Sequence, residues 1–239
     1  MKYLKLSFAD PASMLACDEA LLDFCEAKDP GEILRLWEPA ERFVVLGYSN
    51  KIATEVKVSA CASSGVAVLR RFSGGGAVLQ GPGCLNYTLV LRNKKVGYLG
   101  DIRASYERVL GRHKQLVEEL TGERVEIEGI SDLAIGGQKF SGNSQHRKQR
   151  YSLFHGTLLL NFDFSLMEAC LYMPSRQPSY RQRRSHESFL KNLEIDPARI
   201  IEGLTEAWGT DGEFTEVPYQ RIEELVKNRY SRREWNFKF

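Results

Sequence analysis

Three short stretches carry residue types whose order suits work on a charged or polarised ligand. The first is Arg70-Arg71-Phe72-Ser73-Gly74-Gly75-Gly76-Ala77-Val78, followed closely by Gly81-Pro82-Gly83-Cys84-Leu85-Asn86-Tyr87. Three consecutive glycines lack any Cβ, so a ligand can lie against the backbone with N–H groups facing an anionic or polarised oxygen. The pattern is neither a GxGxxG fingerprint nor a Walker loop. Paired glycines alone often mark only a sharp turn between strands; the two arginines, with their charge and bidentate donors, favour binding. The second stretch, Gly136-Gly137-Gln138-Lys139-Phe140-Ser141-Gly142-Asn143-Ser144, sets a lysine just beyond a tight hairpin and beside apolar Phe140. A lone lysine is by default a solvated strand residue. Held rigidly over a ligand, Lys139 would neutralise phosphate oxygens while a carboxylic acid is activated, then stabilise oxyanion charge during acyl transfer. The third stretch, Phe154-His155-Gly156-Thr157-Leu158, places one histidine in an apolar strand. Such a histidine is more often a satisfied core residue, so His155 stays outside the catalytic set.

The elements that must position these stretches can be read from periodicity and punctuation. Asp10 and Pro11 signal a helix start, and Met14, Cys17, Leu21, Phe24 and Cys25 recur at helical spacing, predicting a helix over Ala12 to Ala27. Ile33 to Trp37 and Phe43 to Leu46 read as a pair of strands, with Gly47 ending the second. Ala53 to Ser64 suits a helix, and Val66 to Leu69 a buried strand running straight into the arginines and glycines. Leu85 to Leu91 is a further strand. Asp101 then caps a long amphipathic helix, closed by Gly122, in which Ile102, Val109, Leu116, Val117 and Leu120 share a face. Val125 to Ile127, Leu133 to Ile135, Lys139 to Ser141 and Leu153 to Leu160 are expected strands, the middle two joined by Gly136-Gly137 in a tight turn. A short helix from Ser165, an arginine-rich loop from Ser175 to Ser188 and helices near Pro197 to Trp208 and Pro218 to Tyr230 complete the chain.

Composition narrows the function classes. The 239 residues, 43% hydrophobic and 27% charged, supply an ample core for one large domain. No apolar run approaches the roughly 20 residues of a membrane helix, and Met1 to Asp10 lacks the apolar centre of a secretion signal, so a cytoplasmic protein is expected. Five scattered cysteines without a CxxC pair suggest neither a disulfide framework nor a zinc site. A net charge of +2 gives no reason to expect nucleic acid across the whole surface.

Taken in order, RRFSGGGAV with GPGCLNY, SDLAIGGQKFSGNSQ and FHGTLLL resemble the biotinyl/lipoyl protein ligase family, specifically its lipoate-protein ligase branch. The motifs span roughly Leu46 to Leu160, and the GRGR-like loop of the biotin branch does not occur. The resemblance implies a mixed α/β (α+β) fold with a largely antiparallel central sheet flanked by helices, and a tunnel for the acyl chain. It implies MgATP-dependent conversion of lipoate, or octanoate, to an acyl-adenylate, and transfer of the acyl group to a lysine of an acceptor protein domain. By motif, Lys139 would contact the activated carbonyl and phosphate. Arg70, Ser73, Gly74, Gly75 and Gly76 would line the acyl-adenylate site, Gly47 the tunnel wall, and Asp132 would lie near the nucleotide and magnesium. A residue at the position of Asp132 can equally be a turn cap. The chemistry is consistent: a free carboxylate is a poor electrophile until it carries a good leaving group.

Only 79 residues follow Leu160, so a single catalytic domain over 1–239 without a full C-terminal accessory domain is expected. Two readings stay open: adenylation unaided or with a separate accessory protein, or ATP-independent transfer of octanoyl or lipoyl groups from an acyl carrier protein. Transferases that form a thioester need a positioned cysteine. Cys84 is the one inside a motif, and none occurs in Arg124 to Asp132, which favours the ligase. A nucleic-acid-binding module using Arg147, Lys148, Arg150 and Arg176, Arg181, Arg183, Arg184 is a third reading, against which stands the lack of interleaved aromatics.

Overall fold

The computed structural model describes residues 1–93 and 101–239. Its strands are β1 (Lys2–Lys5), β2 (Ile33–Trp37), β3 (Phe43–Leu46), β4 (Ala67–Arg70), β5 (Val78–Gln80), β6 (Cys84–Arg92), β7 (Val125–Glu128), β8 (Asp132–Ile135), β9 (Gln138–Arg147) and β10 (Tyr151–Leu159). Seven form one sheet in the order β1-β2-β6-β10-β9-β8-β7, antiparallel except for β1 with β2; β4-β3-β5 form a smaller sheet. The architecture is the mixed, largely antiparallel one expected.

Helix α1 (Pro11–Lys28) begins where Asp10 accepts a hydrogen bond from the Ser13 N–H at 2.8 Å, and ends at Asp29 in the left-handed region (φ 57°). Two short helices follow, α2 (Ile52–Glu55) and α3 (Val58–Ser63). The continuous helix expected over Ala53 to Ser64 is interrupted because Val56 forms a β-bridge to Leu171 and the Lys57 N–H bonds the Cys170 carbonyl at 2.8 Å. Helix α4 (Ile102–Thr121) is capped by Asp101 and closed by Gly122 (φ 71°). Its buried face is carried by Tyr106, Val109, Leu110, His113, Leu116 and Val117, whereas Ile102 is 56% exposed, a correction to the expected face. Then come α5 (Met167–Cys170), α6 (His186–Phe189), α7 (Pro197–Ala207), α8 (Tyr219–Leu225), a π-helical turn (Val226–Tyr230) and α9 (Arg233–Asn236).

One more expectation needs correcting. Ile33 to Trp37 and Phe43 to Leu46 are both strands but not partners: β2 lies between β1 and β6 in the large sheet, β3 between β4 and β5 in the small one. Every residue of β2 is buried, as suits an inner strand covered on both faces, and the Pro39 connection carries the chain across to the second sheet.

Apolar packing lies on both faces of the large sheet. Ile33, Val90 and Leu153 face α1 and the C-terminal helices, while Leu34, Leu89 and Phe154 face α4 and α7. A third cluster joins the small sheet to Cys61, Phe162 and Leu171. On the α1 side, between the apolar packing and the sheet's other end, the strands carry polar residues. That is where the site forms.

Candidate active site

Antiparallel registration aligns one residue from each of five neighbouring strands. Asp132 of β8 stands opposite Gly142 of β9, Gly142 opposite Thr157 of β10, Thr157 opposite Asn86 of β6, and Asn86 opposite Trp37 of β2. All five line a cavity of about 560 Å³, a volume suited to a small organic ligand. Leu15, Val45, Val78, Leu159, Leu171 and Phe189 add apolar wall. The row therefore runs from a charged end at Asp132 to an indole at Trp37.

Lys139 occupies the charged end. Its Nζ lies 2.8 Å from Asp132 Oδ1, and the Tyr180 hydroxyl donates to Asp132 Oδ2 at 2.9 Å. Gly136 (φ 57°) and Gly137 (φ 74°) make the turn from β8 to β9, and a register shift at Leu133/Ala134 follows. The side chain of Lys139 then lies across Gly142: a Cβ there would stand 2.7 Å from Nζ and 2.8 Å from Cε. The Lys191 N–H bonds the Lys139 carbonyl at 3.0 Å, tying the segment after α6 to this strand.

The glycine loop forms a second wall. Gly75 and Gly76 line the cavity, and Gly75 has φ 90°, a conformation L side chains rarely adopt. Gly47 ends β3 directly beneath: its Cβ would fall 2.0 Å from the Gly75 carbonyl oxygen. Arg71 donates to the carbonyls of Gly74 (2.6 Å) and Gly76 (2.9 Å), holding the loop in shape. Burial pulls its guanidinium down to about 10, which leaves it charged at neutral pH, and among the described residues it has no carboxylate partner. Arg70, fully buried, turns the other way. Its Nη1 donates to the carbonyls of Gly47 (2.9 Å), Tyr48 (3.0 Å) and Asn50 (2.9 Å), and Trp235 Nε1 donates to the Arg70 carbonyl at 2.8 Å.

Ser73 is wholly buried, with its Oγ 2.6 Å from His155 Nε2; His155 Nδ1 is 3.0 Å from Asp18 Oδ2. Asp18 comes from α1 and is also bonded by Arg35 (2.6 Å) and the Thr88 hydroxyl (2.7 Å). Burial alone would raise the Asp18 carboxyl, but the His155 hydrogen bond and the Arg35 charge outweigh it and hold the group below the usual range. An ionised Asp18 takes the Nδ1–H of His155, leaving Nε2 to accept from Ser73. Ser144, His155, Thr88 and Arg35 are themselves a register row, two residues along from the cavity row on the same face.

Of the residues singled out from sequence, Lys139, Asp132, Gly75 and Gly76 meet at the cavity. Gly47 and Ser73 support it from behind, Gly74 contributes its carbonyl to Arg71 and Ser144, and the Arg70 guanidinium binds backbone away from the cavity. Arg71, singled out with Arg70 as a binding pair, is the arginine of the two that reaches the cavity; sequence reasoning missed Asp18 and Gln80 and gave Asn86 and Thr157, though inside its motifs, no role of their own. Asp18 had a signal: a carboxylate on the helix face that also carries Met14 and Leu21. His155, set aside as a core residue, is hydrogen-bonded at both nitrogens and lines the cavity. The arginine-rich loop is folded inward at two of its arginines, while Arg176 and Arg183 are exposed. Arg181 is 5% exposed and packs over Phe189, and Arg184 donates to the Gly137 and Tyr180 carbonyls at 2.8 Å.

Magnesium has limited support from side chains. Both Asp132 oxygens are engaged, Asp18 is committed to Arg35 and His155, and no cluster of three acidic, histidine or cysteine side chains suited to a metal exists among the described residues. All five cysteines are buried and free, and none lines the cavity; burial pushes the Cys84 thiol up to about 12.

Residues 10–199 match the lipoyl protein ligase A/B catalytic domain. Octanoyltransferase LipM of Brevibacillus brevis is 25% identical, the alignment covering 99% of this chain and 98% of that protein. Lipoate-protein ligase A subunit 1 of Thermoplasma acidophilum is 26% identical over 93% of this chain and 90% of that protein. A crystal structure of lipoate-protein ligase A bound with ATP superposes with a TM-score of 0.81 at 23% identity, over 99% of this chain and 98% of the other.

Proposed function

Because the chain belongs to the lipoyl protein ligase A/B catalytic domain family, we propose that it is an ATP-dependent lipoate-protein ligase. It would convert lipoate to lipoyl-AMP and pass the lipoyl group to a lysine of an acceptor protein domain. The observation that carries this reading is the placement of Lys139: one ammonium at the charged end of a cavity with a largely apolar wall, beside side-chain-free backbone.

An acyl chain lying along the cavity gains roughly 0.8 kcal/mol per buried methylene, which brings its carboxyl group to Lys139. Before ligand arrives, Asp132 balances the ammonium. An acyl-phosphate oxygen at the same place takes over that role, and the ammonium stabilises charge that grows on the carbonyl oxygen as the amine attacks. Arg71 adds a second cation behind Gly74 to Gly76. Ser73, His155 and Asp18 fix the loop to β10 and α1, so the glycine backbone meets the ligand already ordered. ATP supplies the adenylate leaving group. Magnesium would enter as ATP's companion, held by phosphates rather than in a protein cage, with Asp132 the carboxylate that could meet it once ligand takes its place at Lys139. Gly47, Arg70, Ser73 and Gly74 act in this reading as supports of the site.

The Thermoplasma relative is a subunit of its ligase, and on that pattern this chain would act as a single catalytic unit helped by a separate accessory protein. The LipM relative supports a second reading, transfer of an octanoyl group from an acyl carrier without ATP. The cysteines weigh against the thioester form of it, since none reaches the cavity. Incubating the protein with lipoate, MgATP and an acceptor domain, with and without candidate accessory proteins, should give lipoyl-AMP and a modified lysine. Acceptor modification from an octanoyl carrier in the absence of ATP would replace the ligase with the transferase.

A further inference from the structure

Midway along the cavity, three polar side chains interrupt the apolar wall. Gln80, 6% exposed, Asn86, 5% exposed, and Thr157 bond one another in a closed triangle. One backbone carbonyl fixes the direction of every bond in it. Asn86 Nδ2 donates to the Cys84 carbonyl at 3.2 Å, so its Oδ1 must be the atom that accepts from the Thr157 hydroxyl at 2.6 Å. The same Nδ2 gives its second hydrogen to Gln80 Oε1 at 3.0 Å, and Thr157, having donated its only hydrogen, accepts from Gln80 Nε2 at 2.7 Å. Asn86 has then used both N–H groups and Thr157 its O–H. Gln80 keeps one N–H that no described residue takes.

Gln80 reaches in from the small sheet, and the register row of the large one says where its two partners stand. Thr157 is one strand from Gly142, over which the Lys139 side chain lies, and Asn86 is two strands away. Strands are spaced about 4.8 Å apart, so the triangle begins about 5 Å and ends about 10 Å across the sheet from Gly142. An acyl chain with its carbonyl at Lys139 advances about 1.3 Å per carbon, from tetrahedral geometry, and so lays its distal half against the triangle.

We infer that Gln80, aimed by Asn86 and Thr157, sets the acyl specificity of the cavity. It donates its remaining N–H to an acceptor atom in the distal half of the chain, so acids carrying sulfur or oxygen there are preferred to a plain alkyl acid of the same length. This rests on the cavity being the acyl site, as proposed above. A saturated chain buries the N–H without a partner and forfeits that bond; a dithiolane sulfur or an ether oxygen satisfies it.

Calorimetry on the full chain with lipoate, octanoate and an eight-carbon acid bearing one distal ether oxygen tests this, the ether acid separating hydrogen bonding from the bulk of a ring. The wild-type protein should bind lipoate and the ether acid about fivefold more tightly than octanoate, the worth of one neutral hydrogen bond. In Gln80→Leu the ratio should fall to about one, mainly because octanoate binds better. Gln80→Met, which keeps the unbranched length and spares packing, should do the same and decides the matter if the leucine variant fails to fold. Equal affinities for all three acids in the wild type, or ratios unmoved in both variants, would overturn the specificity and leave the acyl site standing. Binding of none of the three would overturn the acyl site and the specificity together.

Discussion

The chemistry of single residues gives the sharpest tests. Lys139→Ala should lower acyl transfer by at least about a thousandfold while the thermal midpoint stays close to wild type, because the ammonium acts through charge rather than packing. Turnover that survives the substitution would end the proposed mechanism. Gly142→Ala probes the same ammonium from beneath. The added methyl would stand 2.7 Å from Nζ, the far end of a flexible side chain that can swing away at little cost to the fold. Stability should therefore hold while activity falls about tenfold or more, the signature of a displaced charge. Cys84→Ser should keep full activity, since burial holds that thiol protonated, up to about 12, away from the cavity; a thioester trapped there by mass spectrometry would say otherwise. His155 shows the limit of reading one residue at a time. A histidine in an apolar strand says nothing about Asp18, 137 positions earlier, until the fold brings them to 3.0 Å.

Among elements, the joint between α1 and the sheet decides most. Asp18 and Arg35 are buried together at 2.6 Å, and Arg35 also donates to the Met14 carbonyl at 3.0 Å. Arg35→Met strips Asp18 of its strongest cation and should cost about 3–5 kcal/mol in urea unfolding, with much of it recovered when Asp18→Asn is added. A double variant no more stable than the single one would show that packing, not charge, holds α1. The individual elements were largely legible because each carries its own punctuation: Asp10-Pro11, Asp101 with Gly122, and Gly136-Gly137 all mark boundaries where they were expected. Sheet membership was not. Nothing local to β2 and β3 says that five intervening residues lead to another sheet, and the break between α2 and α3 depends on Leu171, more than a hundred residues on. The site was legible in the same measure: glycines and Lys139 form local patterns, whereas Asn86 and Thr157 meet only through strand register and Gln80 joins them from the other sheet.

At the scale of the whole molecule, buried histidines set how it meets acid. His113 is on the buried face of α4, with its Nε2 accepting from the indole of Trp208, just past α7, at 2.9 Å, and burial pulls it down to about 3. The unfolded chain takes up a proton there near pH 6.5, while the folded protein does not until about pH 3. The unfolded state thus binds more protons across that window, and stability falls as pH drops, at about 1.4 kcal/mol per pH unit for this group. Burial also lowers His146 and His186, adding to the same trend. His113→Gln keeps an acceptor for the indole and removes the titration, so urea unfolding between pH 6.5 and 4 should flatten by about one proton; an unchanged slope would place the sensitivity elsewhere. Among the described residues no helix is long and apolar enough to cross a membrane.

The tryptophans divide the molecule in a way that has an optical consequence. Trp37 closes the far end of the register row, with the Arg35 guanidinium 5.0 Å from its ring centre, while Trp208 packs behind α4 and Trp235 sits against the chain's last residues. A ligand that displaces solvent from the cavity changes the surroundings of the first indole and leaves the other two as they were. Intrinsic emission should thus shift on filling and stay still in Trp37→Phe, making occupancy visible without a dye or a label.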